Sequence, residues 1–117
     1  MTATLFMIEL TVADLALSMA WYRDRFSFPV VILDETNSFA LLDAGTCRLA
    51  LKQGTPAPGT TRVVFASAHL NEVIASFASL GDHPVRPVKL SHEGYREALF
   101  HDPDGHAVAV FEWVHQG

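Results

Sequence analysis

Cysteine occurs once in the 117 residues, at Cys47, so no internal disulfide can form and the fold must be held by its core. That usage fits a reducing compartment, and the expected location is cytoplasmic. Basic residues are also scarce, with eight Lys and Arg against thirteen Asp and Glu, a formal net charge of −5 and no basic cluster. The electrostatic footprint of a nucleic-acid binder is therefore absent. Long hydrophobic runs are missing as well. The opening MTATLFMIELTVADLALSMAW has no basic leader, and Glu9 and Asp14 interrupt it short of a spanning length, so neither a signal peptide nor a membrane partner is expected. What is present is a chain that is 50% apolar and long enough for one compact domain, with small molecules or protein as its partners.

Hydrophobic alternation predicts a strand over 5–12. Asp14 then stands where a side chain caps a helix carrying the stripe Leu15, Met19, Tyr22 and Phe26. Three β-rich stretches follow, at 28–33, 38–43 and 47–53, separated by the turn-forming DETN and AGT. After GTPAPGT the order begins again. A strand over 62–67 leads into a helix with Leu70, Ile74, Phe77 and Leu80, closed by Gly81, and strands at 85–90, 95–101 and 106–113 complete the series.

A shift of 55 positions lays Leu15 on Leu70, Ala20 on Ala75, Pro29 on Pro84 and Val30 on Val85. Element order agrees throughout, which points to duplication of a unit that does not cover its own sheet alone. The expected architecture is α+β: one domain, 1–117, made of two βαβββ half-modules at about 5–53 and 62–113, with GTPAPGT as connector.

Two such modules, the V-x-D-L and aromatic-rich helix over 12–22, and the D-P-D-G turn at 102–105 before a final strand resemble the vicinal oxygen chelate superfamily. This group holds the glyoxalases, extradiol dioxygenases, and fosfomycin- and bleomycin-resistance proteins. The resemblance implies a curved, cup-like mixed sheet with the helices outside. It also implies, in metal-using members, four His, Glu or Gln ligands from the first and last strands of each module. Those positions fall here on Met7, Ala50, Arg62 and Ala109. None offers the expected oxygen or imidazole nitrogen, and a protonated guanidinium repels a dication. No metal or other cofactor is therefore expected.

The resemblance then leads to the metal-free branch typified by bleomycin-resistance proteins, which are homodimers that sequester a drug unchanged. Strand parity places Glu9 and Thr11 beside Met7, Arg48 and Lys52 beside Ala50, and Ala107 and Phe111 beside Ala109. The expected ligand-binding residues are Met7, Glu9, Arg48, Ala50, Lys52, Arg62, Tyr95, Ala109 and Phe111, around a small aromatic or amphipathic organic molecule. Trp21, Trp113, Phe39 and Phe111 are candidate stacking surfaces.

Several residues have both a structural and a chemical reading. Glu9 either pairs with Arg62 or a neighbouring cation, or acts as a binder or as general base of a metal-free enzyme, the other enzymatic reading being a glyoxalase-like lyase with an atypical metal site. Arg62 either clamps a ligand carboxylate or keeps its head in water at the sheet rim. His101 and His106 are expected as solvated turn residues, with a surface metal pair as the other reading. His69, His83, His92 and His115 read as surface residues, and Cys47 as a strand residue. The SHEGYRE stretch, 91–97, is either a flap carrying Tyr95 and Arg96 to the ligand or a loop entering a strand.

Overall fold

The computed structural model describes residues 2–114, and the chain divides into two compact units, Met1–Ala57 and Pro58–Gly117, parted inside GTPAPGT. His115 lies outside the described residues. The first unit runs β1 (Met7–Val12), α1 (Leu15–Phe26), β2 (Val30–Asp34), β3 (Phe39–Asp43) and β4 (Arg48–Gln53). The second runs β5 (Arg62–Ala66), α2 (Leu70–Ser79), β6 (Lys89–Leu90), β7 (Tyr95–His101) and β8 (Ala107–Trp113). Each forms a four-stranded mixed sheet, ordered β1-β4-β3-β2 and β5-β8-β7-β6. The helical crossover leaves the second strand running with the first, and two successive reversals bring the fourth back parallel to it. β1 pairs with β4, and β5 with β8, in just that sense.

Side chains alternate across these strands, and one face of each sheet meets its helix. In the first unit that face carries the cross-strand row Leu10, Leu51 and Ala40, and a second row containing Leu49 and Leu42. All five are buried, as are Leu15, Ser18, Trp21 and Tyr22 of α1. The buried stripe is therefore rotated from the expected one, because Met19 and Phe26 are only half-buried. Phe26 instead stacks on Phe28 just beyond the helix, with centroids 5.0 Å apart. In the second unit the corresponding rows are Val63, Val108, Phe100 and Phe65, Val110, Ala98. Phe77 of α2 packs on Phe100 at 4.3 Å.

Both helices are tied to their sheets by the last strand of the unit. Asp14 accepts from the Leu17 N–H at 3.1 Å, while the Leu15 N–H donates to the Gln53 side chain of β4 at 3.0 Å. At α2 the flanking His69 makes no side-chain cap. Its place is taken by Glu112 of β8, which accepts from the Leu70 N–H at 3.1 Å and sets a carboxylate at the positive end of the helix dipole. α2 ends as Gly81 predicts. Gly81 (φ 92°) and Asp82 donate back to Ala78 and Phe77, the paired bonds of a left-handed C-terminal cap. Leu80 falls past the last turn and is exposed.

Several expected boundaries are corrected, among them that of the first strand, which begins at Met7 and not at residue 5. The strand expected over 85–90 is reduced to Lys89–Leu90, because Pro84 and Pro87 lack the N–H a ladder needs, although Val85 still donates to Leu99 at 2.8 Å. The strand expected over 28–33 begins only at Val30 and carries an irregularity between Val30 and Ile32. Cys47 lies in the bend before β4 and is half-buried.

Truncating Phe77 to Ala is expected to lower the unfolding free energy by about 3–5 kcal/mol, since its ring is fully buried. Asp14→Ala is expected to cost about 1 kcal/mol through loss of the cap. Urea unfolding followed by circular dichroism checks both.

Candidate functional site

Each sheet has a second face turned away from its helix, and all nine expected ligand-binding residues lie on one of these two faces. In the first unit the rows on this face are Met7, Arg48, Asp43; Glu9, Ala50, Leu41, Ile32; and Thr11, Lys52, Phe39, Asp34. Ala50 is fully buried, a methyl set between Glu9 and Leu41 across the sheet and Arg48 and Lys52 along the strand. Arg48 is held by Asp43 at 3.0 Å and Lys52 by the Asn37 carbonyl at 2.7 Å, so both cations are engaged at the two ends of β4. Glu9 is exposed and forms no ion pair within its unit among the described residues.

In the second unit the same face carries Arg62, Val64 and Ala66 on β5, Ala107, Ala109, Phe111 and Trp113 on β8, and Tyr95, Glu97, Leu99 and His101 on β7. Tyr95, Phe111 and Trp113 form a mutual edge-to-face cluster, with centroids 5.2, 5.6 and 5.3 Å apart. Beside it lies the main polar feature of the face. Arg62 Nη1 donates to Glu97 Oε1 at 2.6 Å, and Arg86 Nη2 lies 3.6 Å from the same oxygen. Glu97 is only 7% exposed, whereas the Arg62 side chain is 42% exposed.

The Arg62–Glu97 pair crosses β8 diagonally. Arg62 stands opposite Ala107 and Glu97 opposite Phe111, so their backbones are separated by two strand spacings, about 9.5 Å, and by four residues, roughly 13 Å, along the strand. Both side chains must extend toward one another, and Ala109, fully buried, lies on that diagonal. The Glu97 carboxylate raises the pKa of Arg62 above its ordinary value, chiefly through the hydrogen bond, and Tyr95 acts weakly in the same direction. Two cavities open on this face. One of about 360 Å³ is lined by Arg62, Arg86, Lys89, Tyr95, Glu97 and neighbouring turn residues. The other, of about 620 Å³, is lined by Arg62, His101, Ala107 and 58–61 with Gly105.

The two units treat the positions implied by the resemblance alike. Ala50 pairs with Glu9, two residues after Met7, and Ala109 pairs with Val64, two residues after Arg62. The four positions are therefore equivalent in register, and they present a thioether, two methyl groups and a guanidinium already bound to a carboxylate. That donor set does not fit a divalent metal. Asp102, Asp104 and His106 do bring ligand-type atoms within 4.8 Å of one another. Their cluster is the D-P-D-G turn itself, in which Asp102 Oδ1 accepts from the backbone of Asp104 and His106 at 3.0 and 2.9 Å.

The chain matches the family described as the Glyoxalase/Bleomycin resistance protein/Dioxygenase superfamily over residues 4–110. It belongs to that superfamily. Solved structures share its fold at low identity. An integron cassette protein from the mobile metagenome of the Halifax Harbour sewage outfall superposes with a TM-score of 0.80 at 19% identity, covering 93% of this chain and 97% of its own. TioX from Micromonospora sp. ML1 gives 0.77 at 20%, covering 94% and 98%. Lactoylglutathione lyase from Agrobacterium tumefaciens gives 0.79 at 20%, covering 94% and 93%. Among curated proteins none matches. The α+β architecture of two four-stranded sheets and two helices is thus that of the superfamily.

Several expectations about individual residues change. Within its own unit Arg62 takes Glu97 as its partner, a carboxylate that was not expected there. Trp21 is 7% exposed in the core with its ring edge on Tyr22, so it offers no stacking surface. His106 is buried rather than solvated, and His101 pairs with Ala107, so the two histidines lie on opposite faces. Residues 91–94 form the turn between β6 and β7 and 95–97 open β7; Tyr95 lines the smaller cavity, whereas Arg96 faces α2, where it bonds Asn71 at 3.1 Å.

Glu97 and Arg86 were not expected. Glu97 carries a readable signal, since it shares the parity of Tyr95. Arg86, between two loop residues, carries none. Trp113 is 48% exposed against 7% for Trp21. Trp113→Phe is therefore expected to blue-shift the tryptophan emission and remove the acrylamide-quenchable component.

Proposed function

We propose that this superfamily member binds a small aromatic or amphipathic organic molecule without a metal and sequesters it unchanged, as a drug- or toxin-binding protein does. The observation that carries the reading is the donor set at Met7, Ala50, Arg62 and Ala109. The fold's ligand positions hold no group that grips a dication, and one holds a fixed cation instead. Supporting it, Tyr95, Phe111 and Trp113 gather on the face that also carries two cavities, a combination of apolar surface and few orienting charges that suits an organic guest. The two half-modules work as one domain, and the protein acts as a cytoplasmic homodimer with no cofactor. Among the described residues no helix is long and apolar enough to cross a membrane.

A glyoxalase-like lyase is disfavoured for the same reason, since it needs the donors these positions lack. The likeness to a lactoylglutathione lyase at 20% identity concerns the fold.

Elemental analysis of protein purified without chelator is expected to find no stoichiometric divalent metal. A thermal-shift screen of antibiotics and aromatic metabolites is expected to give hits that EDTA leaves unchanged. A ligand at a hundred times its Kd stabilises by about 2.7 kcal/mol. Bound metal together with metal-dependent turnover, or turnover abolished by Glu9→Gln, would overturn the reading.

A further inference from the structure

The 360 Å³ cavity of the second unit has a charge that the chain as a whole does not. Its lining contains three cations, Arg62, Arg86 and Lys89, against two carboxylates, Glu93 and Glu97, in a protein whose formal net charge is −5. One of the carboxylates is withdrawn from any ligand: Glu97 is 7% exposed, and both guanidinium groups converge on its Oε1. Lys89 stands directly across the ladder from Glu97, yet it makes no ion pair with any described residue. Arg86 is 48% exposed and sits 3.6 Å from Glu97, too far for a tight pair. Glu97 thus anchors a positive surface it only partly neutralises, and the exposed donors of Arg86 and Lys89 are left facing the cavity. Tyr95 lines the same cavity and continues into the aromatic cluster with Phe111 and Trp113.

We propose that this cavity binds an aromatic carboxylate, its ring against Tyr95 and the aromatic cluster and its carboxylate on Arg86 and Lys89, with Arg62 fixed by Glu97 closing one wall. This deepens the binding reading above and rests on it, because a metal-free guest site is its premise. A guanidinium offers a planar fork matched to a carboxylate, and the ammonium adds a second, freely rotating donor. A neutral aromatic gains the stacking without the ion pairing, and a cationic one is repelled by the exposed cations. Discrimination therefore comes from Arg86 and Lys89, neither of which is buried in the core, so their substitution leaves the fold intact.

The test uses the full chain and two pairs of probes, benzoate with benzamide and indole-3-acetate with indole-3-acetamide, titrated calorimetrically at low and high salt. Each acid is expected to bind at least tenfold more tightly than its amide, with the gap shrinking as salt rises. Arg86→Gln and Lys89→Gln are each expected to weaken the acids several-fold and leave the amides unchanged, with circular dichroism matching the parent. Equal affinity for acid and amide, or variants that affect both alike, would overturn the carboxylate assignment while leaving small-molecule binding in place. If neither the four probes nor the antibiotic and metabolite screen raises the melting temperature, the binding reading fails as well.

Discussion

A carboxylate that is nine-tenths buried must be compensated, and that requirement at Glu97 organises the open face of the second unit. Arg62 is drawn across β8 to meet it, and Arg86 approaches from the segment before β6. The crossing is feasible because the intervening strand offers Ala107 and Ala109, with no side chain tall enough to stand between the partners. Phe111, the next residue on that face, stands opposite Glu97 and belongs to the aromatic cluster. One ion pair therefore sets where the polar and aromatic parts of the face begin.

The opposite faces obey a simpler rule. Alternation gives each sheet one apolar side, and a helix tethered at its first turn by the last strand covers it. The two units solve the tethering differently. Gln53 assists an ordinary Asp14 cap in the first, whereas Glu112 replaces a cap that His69 does not supply in the second. The duplicated pattern is thus preserved in geometry where it has diverged in chemistry.

The same separation between geometry and chemistry runs through the site. Register keeps Ala50 and Ala109 equivalent, opposite Glu9 and Val64, so the scaffold of the superfamily is intact. What has changed is the set of atoms it presents. At Arg62 a permanent cation belonging to the protein stands where the resemblance implies a metal ligand. Its charge is tied to Glu97 and its head, partly in water, lines both cavities of that face.

The order of strands and helices, the Asp14 cap, the Gly81 stop and the parity of every site residue were legible in the sequence, because each depends on neighbours a few positions away and on a fixed period. The absence of metal donors was legible for the same reason, once the resemblance supplied the positions. Tertiary structure alone decided which partners those side chains take. Arg62 and Glu97 are 35 residues apart and meet across an intervening strand, a distance no local rule spans. Likewise, Trp21 was lost to the core and His106 to the D-P-D-G turn through packing between distant segments. Periodicity fixes the face on which a side chain lies, and only the folded sheet fixes what stands opposite it.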